Sequence, residues 1–201
     1  EAEEDPLLLD EVLNVLLEIL DYDLAGLATL ASDKSSEVEQ LMRNAEAQMA
    51  EGLYIDADFT YRRVLNVEPN HVLGRVGLIH AQLGGGMIRS AAFNLRILFE
   101  HHPEMIAARY GPAVMPSSDR IVWIREQLDK IIDLSPRAEP AVVLAYLGYQ
   151  TRSAELVTYG LDVAQSRRPK DPLIALLRGI WIDGEDGSNK LTDPAEQDPQ
   201  K

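Results

Sequence analysis

The chain repeats itself at an offset of 34 residues. Residues 38–71 laid over 72–105 give eight identical pairs: Val38/Val72, Ala47/Ala81, Gln48/Gln82, Gly52/Gly86, Ala57/Ala91, Phe59/Phe93, Arg62/Arg96 and Pro69/Pro103. Background composition gives roughly two. Three kinds of pair act as punctuation. Gly52 and Gly86 suit the tight turn after a first helix, Ala57 and Ala91 permit two helices to cross closely, and Pro69 and Pro103 stop a second helix. The unit is therefore a helix pair.

Caps and breakers predict the remaining boundaries. Asp5-Pro6 opens a helix over about 6–21, apolar around more than half its circumference and so in need of burial on two sides. A short helix over about 23–31 is expected to fold it back. Ser36 with Glu39 forms a capping box for a helix over about 37–51, followed by one over 55–67. The second copy predicts helices over 71–83 and 87–101. A third unit is degenerate: its first helix, about 104–110, is broken by Gly111-Pro112 and Pro116, and its second runs over about 119–134. A fourth supplies helices over 139–150 and 153–167, and Asp171-Pro172 opens a last helix to about 182. From Asp183 onward almost nothing is apolar, the composition of a disordered tail.

The period and its punctuation resemble the tetratricopeptide repeat (TPR) family. The first unit carries Leu41, Ala45, Gly52, Ala57, Tyr61, Val64 and Pro69 at matching sites. The second carries Leu78, Gly86, Ala91, Leu95, Leu98 and Pro103, and the fourth Leu144, Ala145, Val157, Leu161, Ala164 and Pro169. Asn44, Gln48 and Arg75 depart from the pattern, standing where larger apolar or aromatic residues are usual. The resemblance implies an all-α fold: a TPR-like right-handed α-solenoid over 36–182, preceded by an acidic and apolar helical segment (1–35), closed by a capping helix and followed by an acidic tail (183–201).

It also implies a site. First helices of such repeats line a concave groove, and residues turned away from the second helix touch the ligand. That face reads Met42, Glu46 and Met49, then Val76, His80 and Leu83, then Val142, Tyr146 and Tyr149, each set spaced i, i+4, i+7. It lacks the Lys and Asn with which family members clamp a terminal carboxylate. Met adapts to irregular surfaces and Tyr gives contact area at low entropic cost, so an apolar or amphipathic peptide is the expected ligand. Burial of the same residues as core, under the N-terminal helix, is the competing reading.

Composition narrows the function further. The net charge of −14 sits at the ends: residues 1–33 hold ten acidic and no basic side chains, 183–201 hold six and two, and the remaining 17 acidic and 17 basic cancel. No basic stripe with interleaved aromatics is present, which argues against nucleic acid. Leu7–Leu20 is too short and too charged to span a membrane. No cysteine exists to ligate metal or attack a substrate. The adjacent His101-His102 pair cannot face one metal from a helix, and Gly84-Gly85-Gly86 follows a helix without the Lys-Ser/Thr of a phosphate loop. Arg62, Arg63 and Arg96 fall on second helices, where surface carboxylates are their expected partners. Arg outnumbers Lys by 14 to 5, a hint of a GC-rich bacterial source. The expectation is a non-catalytic adaptor or scaffold, with no cofactor, that binds a protein or peptide partner. The alternatives are a secretion-type chaperone that dimerises through residues 6–31, and an accessory domain of a larger enzyme.

Overall fold

The computed structural model of the protein describes residues 27–32 and 36–183. The expected helix over 6–21 and the tail from 184 lie outside the described residues. The chain forms two compact units, one through Ile124 and one from Arg125. The first contains α1 (Glu37–Ala50), α2 (Tyr54–Val67), α3 (Val72–Gly84), α4 (Ile88–His101) and a 3-10 turn (Pro103–Ile106). A helix α5 (Ser118–Leu134) begins in the first unit and ends in the second. The second unit adds α6 (Glu139–Gln150), α7 (Ala154–Arg167), α8 (Pro172–Arg178) and a π turn (Gly179–Asp183). No strand is present among the described residues; the only extended pairing is a single bridge between Leu27 and Tyr110. Within each unit, consecutive helices pack on one another: α1 on α2, α2 on α3, α3 on α4, and α6 on α7.

One turn geometry recurs three times. Gly52, Gly86 and Arg152 have φ of 74°, 76° and 57°. The next residue's N–H donates to a carbonyl five positions back: Leu53 to Gln48, Met87 to Gln82 and Ser153 to Gly148, each at 2.8 Å. The left-handed conformation is what Gly supplies without a steric penalty. The helices after these turns, α2, α4 and α7, are each 14 residues long. All three end in an extended residue before proline: Glu68, His102 and Arg168, with φ near −135°. Proline disfavours helical backbone in the residue before it.

The helix pairs cross over small residues. Ala45, Ala57, Ala91, Ala145 and Ala164 are fully buried. Position for position, Gln48 and Thr60 of the first pair correspond to Gln82 and Asn94 of the second and to Gly148 and Gly160 of α6 and α7. In the first two pairs the crossing is polar: Thr60 donates to Gln48 Oε1 at 2.8 Å and Asn94 to Gln82 Oε1 at 3.0 Å. In the last pair it is a close backbone approach. A Cβ on Gly160 would lie 2.6 Å from the Ala141 carbonyl oxygen and 2.7 Å from the Ala145 nitrogen.

Two expected helices are not formed among the described residues. The one over 104–110 is reduced to the 3-10 turn, and the chain beyond it pairs elsewhere. Leu27 N–H donates to the Arg109 carbonyl at 3.0 Å, and Gly111 N–H donates to the Leu27 carbonyl at 2.9 Å. The described part of the helix predicted over 23–31 is a bent, non-helical run. Its Leu30, Ala31 and Ser32 N–H groups are taken by the carboxylates of α1 rather than by carbonyls of its own preceding turn. Ala31 N–H donates to Glu46 at 2.9 Å, Leu30 N–H donates to the same oxygen, and Ser32 N–H donates to Glu39 at 2.6 Å. Ser36 caps α1 as the sequence predicts, accepting from Glu39 N–H at 3.1 Å.

Candidate functional site

The nine predicted groove residues lie on α1, α3 and α6 as expected, and eight of them are buried: Met42, Met49, Val76, His80, Leu83, Val142, Tyr146 and Tyr149. Glu46 is half-buried. In the first unit the chain itself covers this face. The non-helical segment Leu27–Ser32 lies against α1 and is held by Glu46. That carboxylate takes the Thr29 hydroxyl (2.8 and 3.0 Å) together with the Leu30 and Ala31 N–H groups. Leu30, between these anchors, is itself buried. Over α3 the segment after the 3-10 turn closes the face. His80 Nδ1 lies 2.8 Å from the Val114 carbonyl, and the His80 ring meets the edge of Tyr110 with centroids 5.0 Å apart. A carbonyl only accepts, so the neutral imidazole carries its proton on Nδ1. Burial pushes the His80 pKa down to about 4, against a smaller upward pull from the Val114 carbonyl. An ordinary histidine titrates near 6.5; enclosure of this one moves it.

In the second unit, Trp181 performs the covering. Its ring stacks on Tyr149 with centroids 5.0 Å apart and planes 16° apart, and lies 6.5 Å from Tyr146. The predicted aromatic pair of the groove thus forms a three-ring cluster with the central residue of the closing π turn.

A different face of the first unit is open. Phe59 on α2 and Phe93 on α4 occupy equivalent repeat positions and are 63% and 66% exposed. Beside Phe93 a cleft of about 610 Å³ runs between α2, α3 and α4. Arg62, Arg75 and Arg89 line it, with Asn66, Ser90 and Asn94 as further polar groups and Leu65 and Leu78 among its apolar ones. A hydrogen-bonded chain positions two of the arginines. Arg62 forks onto Asp58 at 2.8 and 3.1 Å. Asp58 also accepts from Gln82 at 3.0 Å, Gln82 accepts from Asn94, and Asn94 accepts from Arg75 at 3.4 Å. Arg75 also donates to the Pro69 carbonyl at 3.3 Å. The hydrogen bond to Asp58 raises the Arg62 pKa against the opposing effect of its partial burial, so this guanidinium is a fixed cation. Arg89 is exposed and has no hydrogen-bond or ion-pair partner among the described residues.

Sequence reasoning assigned Arg62, Arg63 and Arg96 to surface carboxylates; Arg96 does pair with the exposed Glu100 at 2.9 Å, whereas the partner of Arg62, Asp58, is buried. It missed the cleft. The available signal was Gln48/Gln82, a polar pair inside otherwise apolar helices, together with Phe59/Phe93 on the outward face. Among the described residues no three His, Asp or Glu side chains are placed to hold a metal ion, and no helix is long and apolar enough to cross a membrane. Comparison with protein-family models, with curated proteins and with solved structures finds no match.

Proposed function

We propose that this chain is a non-catalytic protein-interaction module of the TPR kind, a right-handed helical solenoid whose first helices hold an extended peptide segment. One observation carries the reading. Leu27–Ser32 sits on α1 as a peptide ligand would, with main-chain groups bonded to Glu46 and Glu39, a bridge to Arg109–Gly111, and Leu30 buried. Recognition through main-chain N–H groups and one apolar anchor tolerates many sequences, as in other modes of extended-peptide capture. The chain's own segment is then an occupant in cis, and a partner's segment of the same form exchanges with it.

The reading is tested by removing residues 1–32 and titrating a synthetic peptide of residues 26–33 back into the shortened protein. A folded truncation that binds the peptide, with the melting temperature rising as peptide is added, is the expected result. A truncation that is folded but does not bind, or that unfolds and is not rescued by the peptide, makes the segment an ordinary part of the core and ends the proposal.

A further inference from the structure

The arginine-lined cleft between α2, α3 and α4 has no role in that reading. It lies on the side of the second helices, and its polar parts are arranged in a way that packing alone does not require. We propose that it is a second docking site, which takes an acidic peptide segment carrying an apolar side chain.

The charge balance is the first argument. The lining holds three guanidinium groups and no carboxylate. Asp58, the nearest acid in the hydrogen-bonded chain, offsets one of the three through its fork to Arg62. A positive surplus in a concave place attracts a negative segment and strengthens its hold by focusing the field. Preorganisation is the second argument. Arg62 and Arg75 are tied into a continuous network through Asp58, Gln82 and Asn94, which restricts side chains that would otherwise lose rotamer freedom on binding. Arg89 completes the set from α4, exposed and uncommitted.

The apolar parts select a peptide over other anions. Leu65, Leu78 and Phe93 line the same cleft, and Phe93 is two-thirds exposed, so an aliphatic side chain between carboxylates finds a surface there. Asn66 and Ser90 offer neutral donors and acceptors at the same place, suited to a main chain. Single-stranded nucleic acid needs successive aromatic platforms for its bases, and this lining has one aromatic ring.

The experiment uses the full chain and a fluorescein-labelled peptide of six glutamates with two leucines spaced among them. Fluorescence anisotropy is expected to show saturable binding that weakens severalfold between 50 and 300 mM salt, by screening. Arg89→Glu is expected to weaken it about tenfold or more, because reversing a charge that faces the ligand replaces attraction by repulsion. Phe93→Ser should weaken it less, and Arg125→Glu, an exposed position of α5 outside the lining, should leave it unchanged. Circular dichroism confirms that each variant is folded. Three results would overturn the proposal: no binding by the full chain, equal binding of the peptide with lysines in place of glutamates, or equal weakening by Arg125→Glu and Arg89→Glu. Tighter binding of a uridine oligonucleotide than of the acidic peptide, lost in Arg89→Glu, would assign the cleft to nucleic acid instead. Because every arm leaves residues 27–32 in place, failure here does not bear on the extended-peptide reading, and failure there does not bear on the cleft.

Discussion

At the scale of single residues, backbone conformation and enclosure determine what each side chain contributes. Gly52 and Gly86 share a left-handed conformation but differ in surroundings. A Cβ on Gly52 meets nothing within 4 Å, whereas one on Gly86 meets Trp123 at 3.0 Å. Gly52→Ala should therefore cost about 1 kcal/mol, the price of the backbone alone. Gly86→Ala should cost more, because the Trp123 ring must also give way. Urea denaturation of the two variants measures the difference, and equal losses would show that Trp123 yields freely. His80 supplies a pH term. Its pKa is about 4 in the folded chain against 6.5 for an ordinary histidine, so the unfolded chain binds a proton that the folded chain refuses. Stability is then unaffected by this group above about pH 6.5 and falls as the pH drops toward 4, by roughly 3 kcal/mol across the window. The loss measured for wild type minus that for His80→Gln should trace this interval. Parallel curves for the two proteins would show that His80 does not carry the effect.

At the scale of elements, the helices form from local signals and are positioned by small residues. Ala91 is fully buried on α4, which packs against α3. Ala91→Leu should overpack that crossing and cost about 1–3 kcal/mol, read as a lowered melting temperature. The non-helical segment Leu27–Ser32 depends on a different device. One carboxylate, Glu46, accepts from Thr29, Leu30 and Ala31 together. Glu46→Ala leaves those N–H groups without that acceptor, a loss of roughly 1–3 kcal/mol for each donor left buried and unpaired. Hydrogen exchange should show the Leu30 and Ala31 amides opening while those of α3 and α4 keep their protection. Retained protection at Leu30 would show that the Leu27–Tyr110 bridge and the burial of Leu30 hold the segment without Glu46.

At the scale of the whole molecule, each unit is built from helices that pack on their chain neighbours, so stability is close to a sum of local terms. Gly160→Ala should push α7 away from α6, since its Cβ would fall 2.6 Å from a backbone oxygen. The expected loss is confined: amides of α6 and α7 exchange faster and those of α1 to α3 do not change. Equal acceleration throughout would mean that the chain unfolds as one cooperative body.

Much of this architecture is written locally in the chain. The 34-residue offset, the capping Ser36 and Asp171, and the prolines at 69, 103 and 169 mark the helix ends to within a residue or two of where they fall. Such signals are legible because caps and breakers act within one or two turns of backbone. That Met42, Glu46 and Met49, and their counterparts on α3 and α6, fall three and four residues apart on one helix each was legible for the same reason, being a matter of helical period. What covers those residues was not. Residues 27–31 have a composition compatible with a helix, and only the carboxylates of Glu46 and Glu39, with Arg109–Gly111 alongside, make the non-helical form the better satisfied one. Trp181 reads as one more apolar residue of a last helix until it is found stacked on Tyr149. The arginine cleft brings together residues from 62 to 94 on three helices, and its polar chain from Arg62 to Arg75 exists only once α2, α3 and α4 are side by side. Local backbone chemistry thus determined where the helices begin and end; which faces remain open was decided by partners distant in sequence, since burial and charge satisfaction depend on neighbours that a linear pattern does not identify.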